Sequence, residues 1–467
     1  MPTSRFSGAP SAGTAPALSL HQALAIGTPK AVSLWLDVVD DPIERADQLG
    51  DLTEAEAVRL TELLTVPEAV DLLDTLDLHT AVDALRIAPP ARAGAVVAHL
   101  ETDRAAELLR ELDAAESERI LGRVPADRAA VLRGLLRWPE DSVAAHMVPD
   151  VIAVDDSVTA GEAIQQVRDH SAKLRQDSHI GAYVFAVADD GRLRGVVSFR
   201  ELVLADEGTL VDDLCTHEVV SVTALTDQEE AARLLVRHRL LALPVVDDAD
   251  HLLGVLTADD AADIVGEETT EDAERQGGSQ PLDVPYLRAS PFLLWRKRIV
   301  WLLVLFVAEM YTGNVMKAFE DELDAVVALA FFIPLLIGTG GNTGTQITTT
   351  LIRAMATENV RMRDVGRVVV KELSAGSFVA VAMAGAGFVR AWMLGVEVQV
   401  MVTIALSLAA IILWSSLIAS VIPLVLKKLR VDPAVVSGPM IATLVDGTGL
   451  LIYFWIAKLT LPELAGL

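Results

Sequence analysis

Asp446 lies in the run Thr443-Leu-Val-Asp446-Gly-Thr-Gly449, inside a stretch (434–458) apolar enough to cross a bilayer. It stands about 13 residues into that stretch, which a helix rising 1.5 Å per residue carries to a depth of roughly 20 Å. A lone carboxylate at that depth protonates, finds a partner or holds a cation. A second run, Pro334-Leu-Leu-Ile-Gly-Thr-Gly-Gly-Asn-Thr-Gly-Thr-Gln346, sets glycines among carbonyl-bearing side chains. Irregular backbone at membrane depth is tolerated beside an aqueous cavity, so this run is expected to bare backbone oxygens to a hydrated ion. Gly340, Gly341, Asn342, Gln346 and Gly449 are the expected lining. Glu309 is a further acid within an apolar stretch. Oxygen donors without a Cys/His cluster suit a hard cation that keeps several waters, not zinc or copper. Asp446 as a simple interhelical hydrogen-bond partner remains an alternative on residue types alone.

A second group of acids, Glu267, Glu268, Glu271 and Asp272, precedes the apolar half. On a helix Glu268, Glu271 and Asp272 share one face, where like charges repel by a few tenths of a kcal/mol per pair. Either the face is solvated or a cation neutralises it.

Two very different halves must position these groups. Of 467 residues, 1–294 hold 24 Lys+Arg and 53 Asp+Glu, and 295–467 hold 14 and 12. The first half therefore carries a net −29 and the second +2, which sum to the chain's −27. An acidic region of that size repels phosphates, which argues against nucleic acid as a partner and for cations. A single cysteine, Cys215, allows no intramolecular disulfide and no thiolate cluster. Residues 1–18 lack the apolar core of a secretion signal and are expected to be a disordered lead-in. The first spanning candidate comes near residue 299, so the acidic half is expected in the cytosol.

Residues 53–136 divide into seven consecutive blocks of twelve, most opening on a helix-starting residue: Thr53, Thr65, Asp77, Pro89, Asp113 and Pro125. Short capped helices cannot bury their apolar stripes alone, so the blocks are expected to stack as a helical solenoid. An ordinary helical domain is the alternative. Two copies of a mixed pattern follow. The first has strands near 151–154, 182–187 and 194–198 and a helix over 160–169; the second has strands near 219–222, 242–247 and 253–257 and a helix over 227–238. Asp/Gly turns join them, giving small α/β units. With Gly195-Val-Val-Ser198 and Gly254-Val-Leu-Thr257 at their strand-to-helix ends, the pair resembles a tandem CBS module. That resemblance implies a regulatory unit of a kind that commonly takes adenine nucleotides or ions.

Five spans are expected, near 297–318, 324–352, 366–391, 398–426 and 434–458. Basic residues gather at Arg296-Lys297-Arg298, at Arg353, Arg361, Arg363, Arg367 and Lys371, and at Lys427, Lys428 and Arg430. The loop after the first span is acidic. Basic loops stay inside, so the amino terminus is expected in the cytosol and the carboxyl tail outside.

Pro334–Gln346, Val431-Asp-Pro-Ala-Val-Val-Ser437 and Ala442–Tyr453 resemble the pore motifs of the MgtE family of magnesium channels, and the order of parts agrees from about residue 50 onward. The implied architecture is a multidomain membrane protein: an all-α cytosolic solenoid, a tandem α/β CBS module and an α-helical transmembrane domain with five spans. Its boundaries are a lead-in (1–18), a helical amino-terminal domain (19–140), CBS 1 (141–206), CBS 2 (207–266), a connecting or plug helix (267–294) and the pore domain (295–467). The resemblance further implies a homodimer in membrane lipid with its pore on the two-fold axis. Asp446 would hold hydrated Mg2+, and Asp432 would stand at the cytosolic mouth. Glu268, Glu271 and Asp272 would be the plug acids, and Glu229, Asp260 and Asp263 would bind cytosolic Mg2+ that closes the pore.

Three features depart from the family pattern. Gly438 stands where an Asn precedes the proline, Thr345 where some members have Asn, and Arg237-His238-Arg239 where the pattern is acidic. The first two bear on selectivity, and the third on gating. No Walker loop is present, since GTGGNTGTQ lacks the GKS/T ending. The expectation is a passive magnesium channel, not an enzyme. The alternatives are a channel for cobalt, manganese or another divalent ion, and a membrane-anchored nucleotide or ion sensor.

Overall fold

Every twelfth residue from Thr53 to Pro125 caps a helix in the computed structural model, which describes residues 18–169, 183–282, 284, 286–356, 360, 362–429, 431 and 433–464. Thr53, Thr65, Asp77, Pro89, Glu101, Asp113 and Pro125 precede α4 (Glu54–Leu63), α5 (Val66–Thr75), α6 (Leu78–Ile87), α7 (Pro90–Val97), α8 (Thr102–Arg110), α9 (Ala114–Leu121) and α10 (Ala126–Leu135). Thr53, Thr65 and Asp113 close capping boxes with Glu56, Glu68 and Glu116. Each box satisfies two otherwise unpaired backbone donors. Alternate helices stack, α4 on α6 on α8 on α10 and α5 on α7 on α9. The repeat is thus a two-layered solenoid. Three more helices, α1 (Leu20–Ile26), α2 (Pro29–Val38) and α3 (Pro42–Gly50), begin it.

The period also places arginines. Arg92 donates to the carbonyl of Leu64, Arg104 to that of Leu76 at 2.6 Å, and Arg128 to that of Leu100 at 2.5 Å. Each guanidinium reaches back to the end of a helix in an earlier repeat. It satisfies a carbonyl that the short helix leaves unpaired and places positive charge at the negative dipole end.

Two three-stranded sheets follow in the same unit. In one, β1 (Ala153–Asp155) runs parallel to β2 (Tyr183–Val187), which runs antiparallel to β3 (Leu193–Ser198). The second repeats this with β4 (Val222–Thr223), β5 (Ala242–Val246) and β6 (Leu252–Thr257). Their helices are α11 (Ala160–Asp169), α12 (Phe199–Leu204), α13 (Val211–Leu214), α14 (Gln228–His238) and α15 (Ala258–Gln276). Gly195 and Gly254 occupy equivalent places. A β-carbon would lie 2.7 Å from Cys215 Cβ at the first and 2.6 Å from the Val148 carbonyl oxygen at the second.

The described residues form two compact units divided between Gly266 and Glu267. The helix bearing the plug acids starts at Ala258 and stops at Gln276, so it does not begin at 267 or reach 294. Gly278, at φ +76°, turns the chain beyond it.

The second unit contains five helices long and apolar enough to cross a membrane: α16 (Pro291–Ala318), α18 (Ile333–Ala356) with the 3-10 turn before it, α19 (Val365–Met393), α20 (Val398–Lys428) and α21 (Gly438–Thr460). A short acidic helix, α17 (Glu320–Ala325), joins the first two. Within it Glu322 is buried and pairs with Lys458 Nζ at 2.7 Å. α20 is the central element, packing on α18, α19 and α21. Small residues permit this, since a β-carbon on Gly376 would lie 2.5 Å from Ser416 Oγ.

Candidate ion-conducting site and cytosolic acids

Pro334–Gln346 is regular helix, which corrects the expectation of exposed backbone oxygens. The helix occupies its own carbonyls, and two threonines take more of them. Thr339 Oγ1 donates to Leu335 O at 2.6 Å and Thr343 Oγ1 to Thr339 O at 2.8 Å. The glycines are there for packing. A β-carbon on Gly340 would lie 2.6 Å from Ile411 Cγ2 and 2.8 Å from Val445 Cγ1. The Gly340 carbonyl is also taken, accepting from Ser415 Oγ at 2.7 Å. Gly449 is buried against Ile411 in the same seam. Neither Gly340 nor Gly449 faces open space, so both move from the expected lining to the packed core.

The other side of α18 is different. Pro334, Gly338, Asn342 and Gln346 recur every four residues and are all exposed. This stripe places two amide side chains on an open face within a span, and lipid is a poor neighbour for them. Gly341 is buried beside the stripe, where a β-carbon would be 3.2 Å from Ala442 Cβ and 3.6 Å from Asp446 Oδ1, so it too leaves the expected lining for the packed seam. Asp446 is partly buried at the α18–α21 seam, beside the stripe. Asp432 lies outside the described residues.

The cytosolic acids fall into distinct settings. Asp260, near the start of α15, accepts a hydrogen bond from Thr257 Oγ1 and meets Asp103 of α8. Burial, then the neighbouring Asp103 carboxylate, pushes Asp260 up to about 8. Burial also raises Asp103, whose Oδ1 is enclosed with no hydrogen-bond partner. The two carboxyls therefore share a proton, as close acids must. Asp263 is raised by burial and by Glu107, and Asp74 is pushed up to about 6 by burial and by Glu101. Asp103, Glu107 and Asp74 were not foreseen. An acid in a helix's first turn, such as Asp103, ordinarily serves only the dipole. Among the described residues no three acidic, His or Cys side chains converge as a metal cage. The Asp103–Asp260 pair nonetheless suits a cation that keeps most of its waters, because an enclosed oxygen without a donor is what such an ion satisfies.

Glu229 is paired with Arg233 one turn along α14. Glu271 is paired with Arg275 at 2.7 Å, while Glu268 and Asp272 are partly buried on the same helix. Arg237 and His238 close the last turn of α14 and Arg239 caps it in the left-handed region, where cations complement the dipole.

Comparison with known proteins gives these sites a context. Residues 333–456 match the family model for the MgtE divalent cation transporter, 40–141 that for the MgtE intracellular N domain, and 142–208 and 211–267 that for the CBS domain. The chain is similar to the magnesium transporter MgtE of Thermus thermophilus, at 35% identity over 88% of this chain and 97% of that one. The chain belongs to the MgtE family. The Bacillus subtilis magnesium transporter MgtE is 30% identical over 90% of this chain and 92% of its own. A solved cytosolic domain of the Mg2+ channel MgtE in complex with ATP covers 53% of this chain and 99% of its own, at 30% identity and TM-score 0.48. MgtE proteins are divalent cation transporters, not enzymes. The likeness to inosine-5'-monophosphate dehydrogenases is shorter, for instance 31% identity over 112 residues, and reflects the CBS units.

Proposed function

We propose that this MgtE chain conducts Mg2+ passively into the cytosol through a pore on the two-fold axis of a homodimer. The observation that carries the reading is the open amide stripe of α18, Asn342 and Gln346, beside the membrane-depth carboxylate Asp446. A second copy facing this stripe would enclose a polar path and bring two Asp446 carboxylates to it. Charge would hold the hydrated ion there, and the amides would receive its water shell. A negative interior supplies the drive, about 2.3 kcal/mol per charge per 100 mV and so about 4.6 for a divalent ion. Asp432 at the inner mouth would gather ions.

Gating would come from the cytosolic acids. Mg2+ at Asp103 and Asp260, with Asp263 nearby, would replace the shared proton and join α8 to α15. Glu268, Glu271 and Asp272 would serve as the plug face, with Arg275 already offsetting Glu271. Glu229 is a weaker ligand because Arg233 neutralises it. An adenine nucleotide remains a second candidate ligand of the CBS pair. In the cytoplasmic membrane the solenoid and CBS units would face the cytosol and the carboxyl tail the outside.

The test is Mg2+ influx into liposomes holding the full chain, driven by an inside-negative potential without nucleotide and repeated with Co2+ and Mn2+ as competitors. Influx that needs hydrolysable nucleotide would end the channel reading. Preference for Co2+ or Mn2+ would change the ion.

A further inference from the structure

Glu309 is the acid to which the pore described above gives no task. It lies on α16 within an apolar span. Its helix crosses α21 beside Asp446: a β-carbon on Gly447 would lie 2.5 Å from Tyr311 Cδ1 and 3.2 Å from Thr312 Oγ1. Thr312 is one turn from Glu309 and on the same side of α16. It is 6% exposed, and its Oγ1 is buried without a hydrogen-bond partner. Glu309 itself is partly buried, on the helix that packs against Gly447, the residue after Asp446. No lysine, arginine or histidine pairs with it among the described residues.

A structural role for Glu309 would be visible as an ion pair or a hydrogen bond, and among the described residues it makes neither. Two acids and an unsatisfied hydroxyl on two packed helices at bilayer depth are costly unless water or a cation serves them. Three oxygen-bearing groups from two helices also match the preference of a hard cation. We infer that Glu309 is a second carboxylate of the ion path, acting with Thr312 and Asp446 on the same divalent cation. This rests on Asp446 being the pore carboxylate. It makes the site doubly acidic in each protomer, with α16 as well as α18 and α21 forming its wall. The added charge strengthens attraction for a divalent ion more than for a monovalent one, because the energy scales with the ion's charge.

The experiment measures initial Mg2+ influx against external Mg2+, and K+ leak, in liposomes of the full chain carrying Glu309→Gln, Glu309→Asp, Asp446→Asn or Glu309→Gln with Asp446→Asn. Glu309→Gln is expected to raise the half-saturating Mg2+ about fivefold and to increase the K+ share of the current. Glu309→Asp restores both, a rescue that a packing role would not give. In the Asp446→Asn background the Glu309→Gln change adds little, as expected for two groups acting on one ion. Unchanged half-saturation and selectivity in Glu309→Gln, with influx lost in Asp446→Asn, would overturn the inference and leave the channel reading intact. Should Asp446→Asn conduct normally, the pore assignment of Asp446 fails and the role of Glu309 fails with it. Where Glu309→Gln yields too little folded dimer to assay, Glu309→Asp decides, and a half-saturation in it that stays fivefold raised refutes the carboxylate role.

Discussion

Thr345 Oγ1 donates to the carbonyl of Gly438 at 3.3 Å, so the two positions on which selectivity is expected to turn touch one another. They also share space: a β-carbon on Gly438 would lie 2.9 Å from Thr345 Cγ2. A β-branched side chain has little freedom to turn that methyl away. The pair is therefore one local solution at the amino-terminal end of α21, and neither residue is independently exchangeable. Gly438→Asn alone is expected to cost about 1–3 kcal/mol through overpacking. Combining it with Thr345→Ser, which removes the methyl, should recover most of that loss. Thermal unfolding in detergent measures both, and strictly additive effects would refute the coupling. The Mg2+/Co2+ flux ratio of the double variant then reports whether this pair tunes selectivity.

Asp446→Asn keeps the shape and an oxygen of the side chain but removes its charge. Divalent influx should fall at least about tenfold, as expected when charge and not oxygen count holds the ion. Dimer content by cross-linking and melting temperature should stay near those of the parent chain. Undiminished influx with unaltered selectivity would return Asp446 to the role of a hydrogen-bond partner.

Glycines of one run should respond oppositely. A β-carbon on Gly344 would lie 2.5 Å from Ile441 Cγ2 and 2.8 Å from Ser415 Oγ, whereas Gly338 has nothing within 4 Å. Gly344→Ala should destabilise the helical bundle by about 1–3 kcal/mol. Gly338→Ala should leave stability unchanged or slightly raised, because alanine is the better helix former. Equal melting temperatures for the two variants would contradict the assignment of Gly344 to the packed seam.

This contrast marks where the sequence was legible. The twelve-residue period located the helix starts from Thr53 to Pro125, and at Thr53, Thr65, Asp77 and Asp113 the cause is local, a side chain that caps the first turn. The five spans were readable from hydropathy because length and apolarity alone decide them. The pore run misled for a related reason. Glycine has low helix propensity, yet in a packed bundle the gain from close helix approach outweighs it, and Pro334–Gln346 stays helical. Asp103 was hidden because its meaning comes from Asp260, a residue 157 positions later by number. No local pattern encodes that encounter.

The Asp103–Asp260 pair gives the gating proposal a pH signature. Asp260 is pushed to about 8 from an ordinary value near 3.8. The folded state thus retains a proton that the unfolded chain has lost, so this group's contribution to stability is complete below about 3.8 and declines as pH rises toward about 8. Asp103 and Asp259 reinforce the trend at Asp260, and the hydrogen bond from Thr257 opposes it. Without divalent ions, α8 and α15 should therefore exchange amide hydrogens more readily at pH 8 than at pH 5.5, after correction for intrinsic exchange. Mg2+ competes with the shared proton, so it should restore protection strongly at pH 8 and weakly at pH 5.5. Asp260→Asn removes the ionisation, and it should flatten the pH dependence and abolish the Mg2+ response at these two helices. Hydrogen exchange on the full chain in detergent measures all three effects. Protection of α8 and α15 that ignores Mg2+ at pH 8 would remove this pair from the gate. The plug acids would then be the remaining place for a regulatory cation, and Arg275 beside Glu271 makes them the less favourable one.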